Sequence, residues 1–429
     1  MSSFQSNLLS SGIGQAFADR NFRIYSVGSI ASWISFFVQL VAVSWLAWEL
    51  TGSTLWLAAI ALMDIVPNVL LTPVAGAVAD RCDRFLMWRI TNLLLFIQAL
   101  AVALLAWFEL LSIWPLAGLV LVHGILISFT VPPMLTMLAR FVHRSRLSSA
   151  IAVNSSYTQF AVFAGPALAG WIITNFNIAT AFAVNAAGYA ILLVVGFCLK
   201  TPKDYEPPGP SAQSFWGDLV EGLRYIAGHR GILVLLILLF AEHALTSSFY
   251  HMLPAYADEV LDRGIIGLSS ILAAIGVGAT IAALWLAHGG AKAATVTRVY
   301  WSYLIAVLAT IGLMLVGNFY FAMALAVILG LSAEVRATAT ASLIQLTVAE
   351  AQRGRVMGNM FMLAQLAAGI GTYLIGAFAA RHGLVAPMLV TAGLCLIVWL
   401  VLFLQRRGVA AYFSKTLSTS ADGASPGGS

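Results

Sequence analysis

Long apolar runs, separated by short polar turns, dominate this 429-residue chain. A helix of about 20 apolar residues crosses the hydrocarbon core of a bilayer. Backbone polar groups in lipid must find partners within their own segment, so each run predicts a helix. We predict an all-α membrane protein with twelve transmembrane helices, near residues 22–48, 54–79, 86–108, 113–138, 148–173, 178–199, 231–257, 265–287, 298–316, 319–344, 356–380 and 384–404.

The composition supports a chain embedded in the membrane. Hydrophobic residues make up 61% of the chain and charged residues 9%, whereas soluble domains carry about 25% charged residues. This excess of apolar side chains excludes an ordinary soluble enzyme and extended disorder. The three cysteines lie far apart and match no metal-binding spacing, so we expect neither a metal site nor a cofactor.

The basic residues indicate the orientation of the chain. If the N-terminal side is taken as inside, 19 of the 22 Lys and Arg residues lie in inside-facing segments. Cytoplasmic loops carry such an excess, so both termini of this multi-pass protein are expected in the cytoplasm. The same distribution accounts for the net charge of +5, and no nucleic-acid partner is expected.

One long connection divides the spans into six plus six. We expect an N-terminal six-helix bundle at 1–200, a cytoplasmic linker at 201–230, a C-terminal six-helix bundle at 231–407 and a disordered cytoplasmic tail at 408–429. Apolar residues at helical spacing occur in the linker, at Phe215, Leu219, Leu223 and Ile226. This spacing predicts an amphipathic helix on the cytoplasmic membrane surface.

The two predicted halves repeat each other. Arg146 precedes the fifth span, and Arg355, 209 residues later, precedes the eleventh. Gly165-Pro-Ala-Leu-Ala-Gly170 in the fifth span corresponds to Gly371-Thr-Tyr-Leu-Ile-Gly376, at an offset of 206 residues. We therefore predict two pseudo-symmetric six-helix bundles around a central cavity, an arrangement used by transporters that alternate access.

Several motifs resemble those of one transporter family. The segment Gly76-Ala-Val-Ala-Asp80-Arg81-Cys-Asp-Arg84 is similar to the loop after the second span of the major facilitator superfamily, although Asp83 replaces a glycine of that motif. The Gly165–Gly170 motif resembles one in the fifth span of its exporters and antiporters. The run Gln345 to Met357, with Leu50-Thr-Gly-Ser53, is similar to the bacterial branch containing the enterobactin exporter and macrolide efflux proteins.

The resemblance implies a cytoplasmic gate. Asp80 and Arg84 would help to hold the cytoplasmic ends of the two halves together, and Gly76 would permit close helix approach. Arg353 and Arg355, in the repeated loop of the second half, are assigned to the same gate. Positive-inside anchoring is the alternative explanation for the arginines of the first loop.

The fifth-span motif has two interpretations. Gly165, Pro166 and Gly170 permit close packing and a kink. They form either a structural helix crossing or an occluding element that limits proton leak, and only the family resemblance favours the second.

Four charged residues lie deep within predicted spans. Asp64, Glu242 and Glu334 are each about 15 Å from the span ends at 1.5 Å per residue. A charge at this depth is costly, so it usually faces a cavity or a partner and suits proton binding. The alternative is a structural acid that hydrogen-bonds between helices. Arg336 is expected to reach Glu242, Asp64 or an anionic group of the substrate.

The resemblance implies that the first, fourth, seventh and tenth spans line the central cavity. By that resemblance Glu242, His243, Glu334, Arg336 and His123 converge there, and together with Asp64 of the second span they are the proton-coupling or substrate-binding candidates. Trp33 and Gln39 are further candidates in the first span, because rings and amides suit a bulky amphipathic ligand. Ordinary packing is the alternative for His123.

These features predict a secondary active transporter of the bacterial cytoplasmic (inner) membrane. We expect a monomer that exports a hydrophobic or amphipathic small molecule, drug-like or a siderophore, by proton antiport with alternating access. The alternative is a proton-coupled or facilitative importer of a small nutrient. Zincin, GxSxG and Gly-Lys-Ser/Thr phosphate-loop motifs do not occur, so we expect neither an enzyme nor an ATP-driven pump.

Overall fold

Helices account for almost the whole described chain, which in this computed structural model comprises residues 17–138, 141–199, 215–289 and 295–422. The helices before the linker are α1 (Arg20–Thr51), α2 (Thr54–Arg81), α3 (Arg84–Trp107), α4 (Ile113–Met137), α5 (Leu147–Asn175) and α6 (Ile178–Cys198). One 3-10 turn, Arg144–Arg146, precedes α5.

The second half begins with the linker helix. Its helices are α7 (Phe215–Gly228), α8 (Arg230–Ala255), α9 (Gly264–Gly289), α10 (Val296–Leu315), α11 (Phe319–Thr347), α12 (Glu350–His382), α13 (Val385–Phe403) and α14 (Arg406–Asp422). A π-helical turn, Tyr256–Val260, extends α8. Each of the twelve predicted spans has its helix, with ends that differ by at most six residues.

The all-α membrane fold is confirmed, with one difference in the number of spans. Over the described residues, eleven helices are long and apolar enough to cross a membrane. The predicted span outside this set is α5, whose first half carries the polar residues Asn154, Ser155, Ser156 and Gln159. These side chains lower the mean hydropathy of α5, although the helix is long enough to cross a membrane.

The chain packs as two units. The first contains Met1–Ala212 with Asp262–Ala273, and the second contains Gln213–Leu261 with Ala274–Ser429. The linker helix α7 therefore packs as part of the second unit.

Glycines allow helices of the first unit to meet at their backbones. A Cβ atom at Gly124 of α4 would lie 2.7 Å from the carbonyl oxygen of Asp64 on α2. A Cβ atom at Gly165 of α5 would overlap Phe37 of α1. Only glycine permits such close approach, so these two positions fix how α2 meets α4 and how α1 meets α5.

The second unit contains the equivalent contacts. Gly330 of α11 lies against the backbone of Ile275 on α9, and Gly371 of α12 lies against the backbone of Ala244 on α8. Gly330 and Gly371 follow Gly124 and Gly165 by 206 residues, the offset of the sequence repeat. The sequence repeat therefore corresponds to equivalent helix contacts within each unit.

The turn between α2 and α3 is shaped by Asp83, the residue that departs from the family loop. Its carboxylate accepts hydrogen bonds from the backbone N–H groups of Phe85 at 2.8 Å and Leu86 at 3.3 Å. Aspartate is a favoured N-cap residue, so the replacement of glycine adds a cap to α3.

The segment after the last span is helical, which corrects the prediction of a disordered tail at 408–429. α14 buries Val409 and Phe413, which lie one turn apart, and the Tyr412 ring contacts His229. This apolar face gives the helix a surface to pack on, which the generally polar composition concealed. Burial raises the pKa of the Tyr412 phenol. Residues 423–429 lie outside the described chain.

Candidate functional site

An acid–histidine pair lies within the membrane-spanning part of the first unit. Oδ1 of Asp64 on α2 is 2.8 Å from Nδ1 of His123 on α4. The His123 side chain is 7% exposed, whereas the Asp64 side chain is 40% exposed. Nε2 of His123 is buried and has no hydrogen-bond partner among the described residues. The carboxylate is therefore the member of the pair that water or a ligand can reach.

The glycine next to His123 sets the geometry of this pair. Gly124 touches the backbone of α2 at Asp64, and that contact brings the preceding histidine within hydrogen-bond distance of the carboxylate. One turn further along α4, the Ser128 hydroxyl donates to the Gly124 carbonyl at 2.8 Å. The Asp64–His123 contact thus depends on the close crossing of α2 and α4.

An aromatic cluster of Trp33, Phe36 and Phe37 on α1 lies beside the pair. Its ring centroids are 5.3 to 6.3 Å apart. The Phe36 ring also stacks on His123, with 6.1 Å between centroids. Trp33 and His123, both candidates from the sequence, are therefore connected through Phe36. The cluster offers ring surface to an apolar ligand within reach of a charged group.

A buried acid–arginine pair lies in the second unit. Oε2 of Glu242 on α8 is 2.5 Å from Nη2 of Arg336 on α11, which is one of the contacts expected for this arginine. Thr246 donates a hydrogen bond to Oε1 of Glu242 at 2.8 Å. Nδ1 of His243 lies 3.2 Å from Oε2 and donates to the Leu239 carbonyl at 3.0 Å.

The acid–arginine pair is poorly suited to carry protons. Glu242 is fully buried and Arg336 is 3% exposed. Protonation of Glu242 would leave Arg336 as an uncompensated cation in a dry environment, which is strongly unfavourable. Among the described residues, Nε and Nη1 of Arg336 already lack hydrogen-bond partners. The geometry therefore favours a permanent ion pair between α8 and α11.

Glu334 and Gln39 belong to neither pair. Glu334 is half-buried and accepts a hydrogen bond from Thr338 at 2.8 Å, one turn further along α11. Gln39 is 5% exposed, and its Oε1 atom has no hydrogen-bond partner within the described chain. The structure thus divides the sequence candidates into the first-unit pair with Trp33 nearby, the second-unit pair with His243, and two residues that belong to neither pair.

The linker helix α7 is fastened to the start of α12 by what we call the linker latch, formed by Arg355, Asp218 and Glu221. Nε of Arg355 lies 2.7 Å from Asp218, and its Nη1 lies 2.6 Å from Glu221. Asn359 also donates to the Leu219 carbonyl at 3.2 Å. The predicted gate residue Arg355 therefore binds the linker.

The first unit has a corresponding contact. Arg146, the residue that repeats as Arg355, lies 3.2 Å from Asp19. Asp19 immediately precedes α1, as the linker helix precedes α8. In each unit, an arginine at the N-terminal end of the fifth spanning helix therefore binds an acid that precedes the first spanning helix of that unit.

The other predicted gate residues have separate environments. Nε of Arg84 donates to the Ala79 carbonyl at 3.2 Å, within the same loop. A Cβ atom at Gly76 would meet no described heavy atom within 4 Å. Arg353 is exposed. The side chain of Asp80 lies outside the described residues.

The fifth-span motif forms a packing surface. Gly165 lies against Phe37, and Gly170 lies against Ser269, all within the first unit. Pro166 is buried inside α5, which remains helical across it. These contacts support the interpretation of the motif as a structural helix crossing.

Reasoning from the sequence misses four polar partners. Thr246 and Thr338 each follow a deep acid by four residues and so share its helix face, a spacing that could have identified them. Asp218 and Glu221 lie in the linker helix, and only the fold brings them to Arg355.

Comparison with known sequences identifies relatives over most of the chain. A family model described as a transmembrane secretion effector matches residues 14–419. Macrolide efflux protein A of Streptococcus pyogenes is 20% identical over 358 residues, which are 83% of this chain and 88% of that protein.

Solved transporter structures share the fold. The nucleoside transporter NupG has a TM-score of 0.70 at 13% identity, covering 90% of this chain and 98% of that one. The peptide transporter POT in complex with sulfate has a TM-score of 0.71 at 14% identity, covering 92% and 96%. With its apolar helices and its family match, this chain is a multi-pass membrane transporter that belongs to the transmembrane secretion effector family of the major facilitator superfamily.

Proposed function

We propose that this transporter is a proton antiporter of the bacterial cytoplasmic membrane that exports a hydrophobic or amphipathic small molecule by alternating access. The substrate class comprises drug-like compounds such as macrolides, and siderophores. Similarity to a macrolide efflux protein supports export and a bulky substrate. The observation that carries proton coupling is the Asp64–His123 pair. Both termini face the cytoplasm, and the transporter acts as a monomer.

Asp64 is the proton site in this proposal. When ionised, its Oδ1 accepts a hydrogen bond from Nδ1–H of His123, and its partial exposure keeps the carboxylate hydrated. Closure of the site around an ionised carboxylate is costly. A proton on Asp64 removes that cost, and so does a cationic or hydrogen-bond-donating group of the substrate. Proton and substrate therefore compete for one carboxylate, which is the requirement for antiport.

The neighbouring residues supply binding and support. The aromatic cluster binds the apolar body of the substrate, while its polar group faces Asp64. The Glu242–Arg336 pair stays ionised throughout and stabilises the second unit. On the cytoplasmic side, the linker latch belongs to the gate.

Transport by inside-out vesicles tests this function. With an imposed pH gradient, we expect accumulation of a radiolabelled macrolide or of a catecholate siderophore, loss of accumulation with a protonophore, and no effect of ATP. Accumulation that survives the protonophore would remove proton coupling. Failure to accumulate either probe would remove the proposed substrate class.

Substitution of Asp64 tests the proton site. Asp64→Asn keeps the size of the side chain but takes away its charge, so pH-driven accumulation should fall to background. Glu49→Gln, which neutralises an exposed acid of α1, is the matched control and should retain full transport. Full pH-driven transport by Asp64→Asn would exclude Asp64 as the proton site.

A further inference from the structure

The spanning helix α2 of the first unit has two partly exposed faces that point in opposite directions. The first, which we call the polar face, is formed by half-buried residues at four-residue spacing: Asp64, Asn68 and Thr72. The second, which we call the apolar face, is formed by residues that are 44%, 65% and 51% exposed: Val66, Leu70 and Val74. Residues four apart share one side of a helix. The two faces are offset by two residues, which is about 200° around the helix axis, so they are opposite.

The apolar face suits contact with lipid, and the polar face does not. The Thr72 hydroxyl donates to the Asn68 carbonyl oxygen at 2.5 Å and lies 2.9 Å from Oδ1 of Asn68. Nδ2 of Asn68, however, has no acceptor among the described residues. Hydrocarbon offers no acceptor either, and a carboxylate such as Asp64 is costly there. The polar face therefore requires water, although it lies within a membrane-spanning segment.

The polar face leads from the proposed proton site towards one end of α2. Asp64 and Thr72 are eight residues apart, which is about 12 Å along the helix at 1.5 Å per residue. Gly76 follows one turn later, and a Cβ atom there would meet no described heavy atom within 4 Å. Arg81, the last residue of α2, is exposed. Polar side chains and then open space thus connect Asp64 with the Arg81 end of the helix.

We propose that the polar face lines a water-filled path between Asp64 and the Arg81 end of α2, and that Asn68 and Thr72 are positioning residues for its waters. This inference rests on the proposed function, because it gives the route by which the proton on Asp64 reaches one side of the membrane. The carboxyl proton passes to the nearest water, that water passes one of its own protons onward, and the carboxylate is left ionised. Asn68 holds waters through its amide, and Thr72 through its hydroxyl oxygen.

Cysteine labelling in lipid nanodiscs distinguishes a face in water from one in lipid. The full chain, with its native cysteines replaced by serine, receives Asn68→Cys or Thr72→Cys, and a small cationic methanethiosulfonate is added. The thiolate attacks this reagent, and a thiolate forms readily in water but not in hydrocarbon. We expect labelling roughly tenfold or more faster than for Val66→Cys and Leu70→Cys, which lie at matched depths on the apolar face. Equal rates on the two faces would overturn the proposal.

Sealed vesicles show the side to which the path opens. Cys82 immediately follows α2 and is exposed, so it marks the Arg81 end of the helix. The cationic reagent does not cross a lipid bilayer. Asn68→Cys and Thr72→Cys should therefore be labelled from the same side as a chain whose single cysteine is Cys82. Labelling from the opposite side alone would refute the path.

Transport kinetics test the positioning role. Asn68→Leu removes the amide but leaves Asp64 in place, so pH-driven accumulation of the radiolabelled macrolide or siderophore should slow several-fold at unchanged substrate affinity. Asn68→Ser keeps a hydrogen-bonding group and should recover most of the rate, whereas Leu70→Ala, on the apolar face, should leave it unchanged. A loss of affinity at unchanged maximal rate would assign Asn68 to substrate binding and overturn its positioning role. If Asn68→Leu fails to fold, the labelling of Thr72→Cys decides.

The labelling requires no transport, so failure of this inference is distinct from failure of the proposed function. Equal labelling of the two faces would remove the path and leave Asp64 as the proton site. Full transport by Asp64→Asn would remove the proton site, and with it the role of Asn68 and Thr72, even where labelling shows a face in water.

Discussion

Single residues of the two charged pairs differ in their access to water, and this difference predicts different effects of substitution. Glu242 and Arg336 are both buried, so removal of one partner leaves a buried charge alone. We expect Arg336→Leu or Glu242→Leu to destabilise the protein by about 3–5 kcal/mol. The double variant should recover most of that loss, because no charge is then left unpaired. Unfolding in detergent micelles measures all three.

A control on the same helix makes this prediction specific. Glu334 is half-buried and bonds to Thr338, so Glu334→Leu should cost about 1 kcal/mol or less. A double Glu242 and Arg336 variant as unstable as the single variants would contradict a mutual ion pair.

The depth of these charges can be read from the sequence, but their partners cannot. Position along a span places Asp64, Glu242 and Arg336 far from the membrane surfaces. The partner of Asp64 is 59 residues away, and the sequence offers Glu242 and Asp64 equally as partners for Arg336. The choice depends on which helix faces meet, and crossing contacts such as that of Gly124 decide it.

At the scale of helices, the crossing of α2 and α4 should control transport. Gly124→Ala adds a methyl group where the nearest backbone atom is 2.7 Å away, and it must displace α2 at Asp64. Overpacking of this kind costs about 1–3 kcal/mol. We expect lower stability and a several-fold loss of pH-driven transport, because displacement of α2 moves Asp64 relative to His123.

Another glycine of α4 serves as the control for this crossing. A Cβ atom at Gly118 would meet nothing within 4 Å, so Gly118→Ala should leave transport and stability unchanged. Equal effects of the two substitutions would mean that helix flexibility, rather than the crossing, is responsible.

The linker latch predicts a local effect on α7. Arg355 is 17% exposed at its side chain and binds two acids, which is stronger than an ordinary surface pair. Arg355→Gln should loosen the linker helix and accelerate hydrogen–deuterium exchange across residues 217–228 several-fold. Arg353→Gln removes a nearby exposed arginine and should not change exchange there. Unchanged exchange in Arg355→Gln would show that other contacts hold α7.

For the whole molecule, hydropathy alone predicts most of the architecture. The limits of the twelve helices follow from where apolar residues stop, because the bilayer penalises polar ones. Two helices are not identified by hydropathy alone. α14 looks polar by composition, but Val409 and Phe413 give it a buried face. α5 is helical over its full predicted length, but its mean hydropathy is lower than that of the other spans because polar residues occupy its first half.

The orientation of the molecule is predicted by its basic residues and can be measured with cysteines. The basic residues predict that Cys82, exposed after α2, lies in an inside-facing turn and that Ser112, exposed before α4, lies in an outside-facing turn. In a chain whose other cysteines are replaced by serine, a membrane-impermeant maleimide should label Cys82 only in inside-out vesicles. Ser112→Cys, in a chain without Cys82, should be labelled only in intact cells stripped of the outer membrane. The reverse pattern would invert the topology, because the positive-inside rule orients all spans of such a chain together. Inversion would place the linker latch outside and convert the proposed export into import.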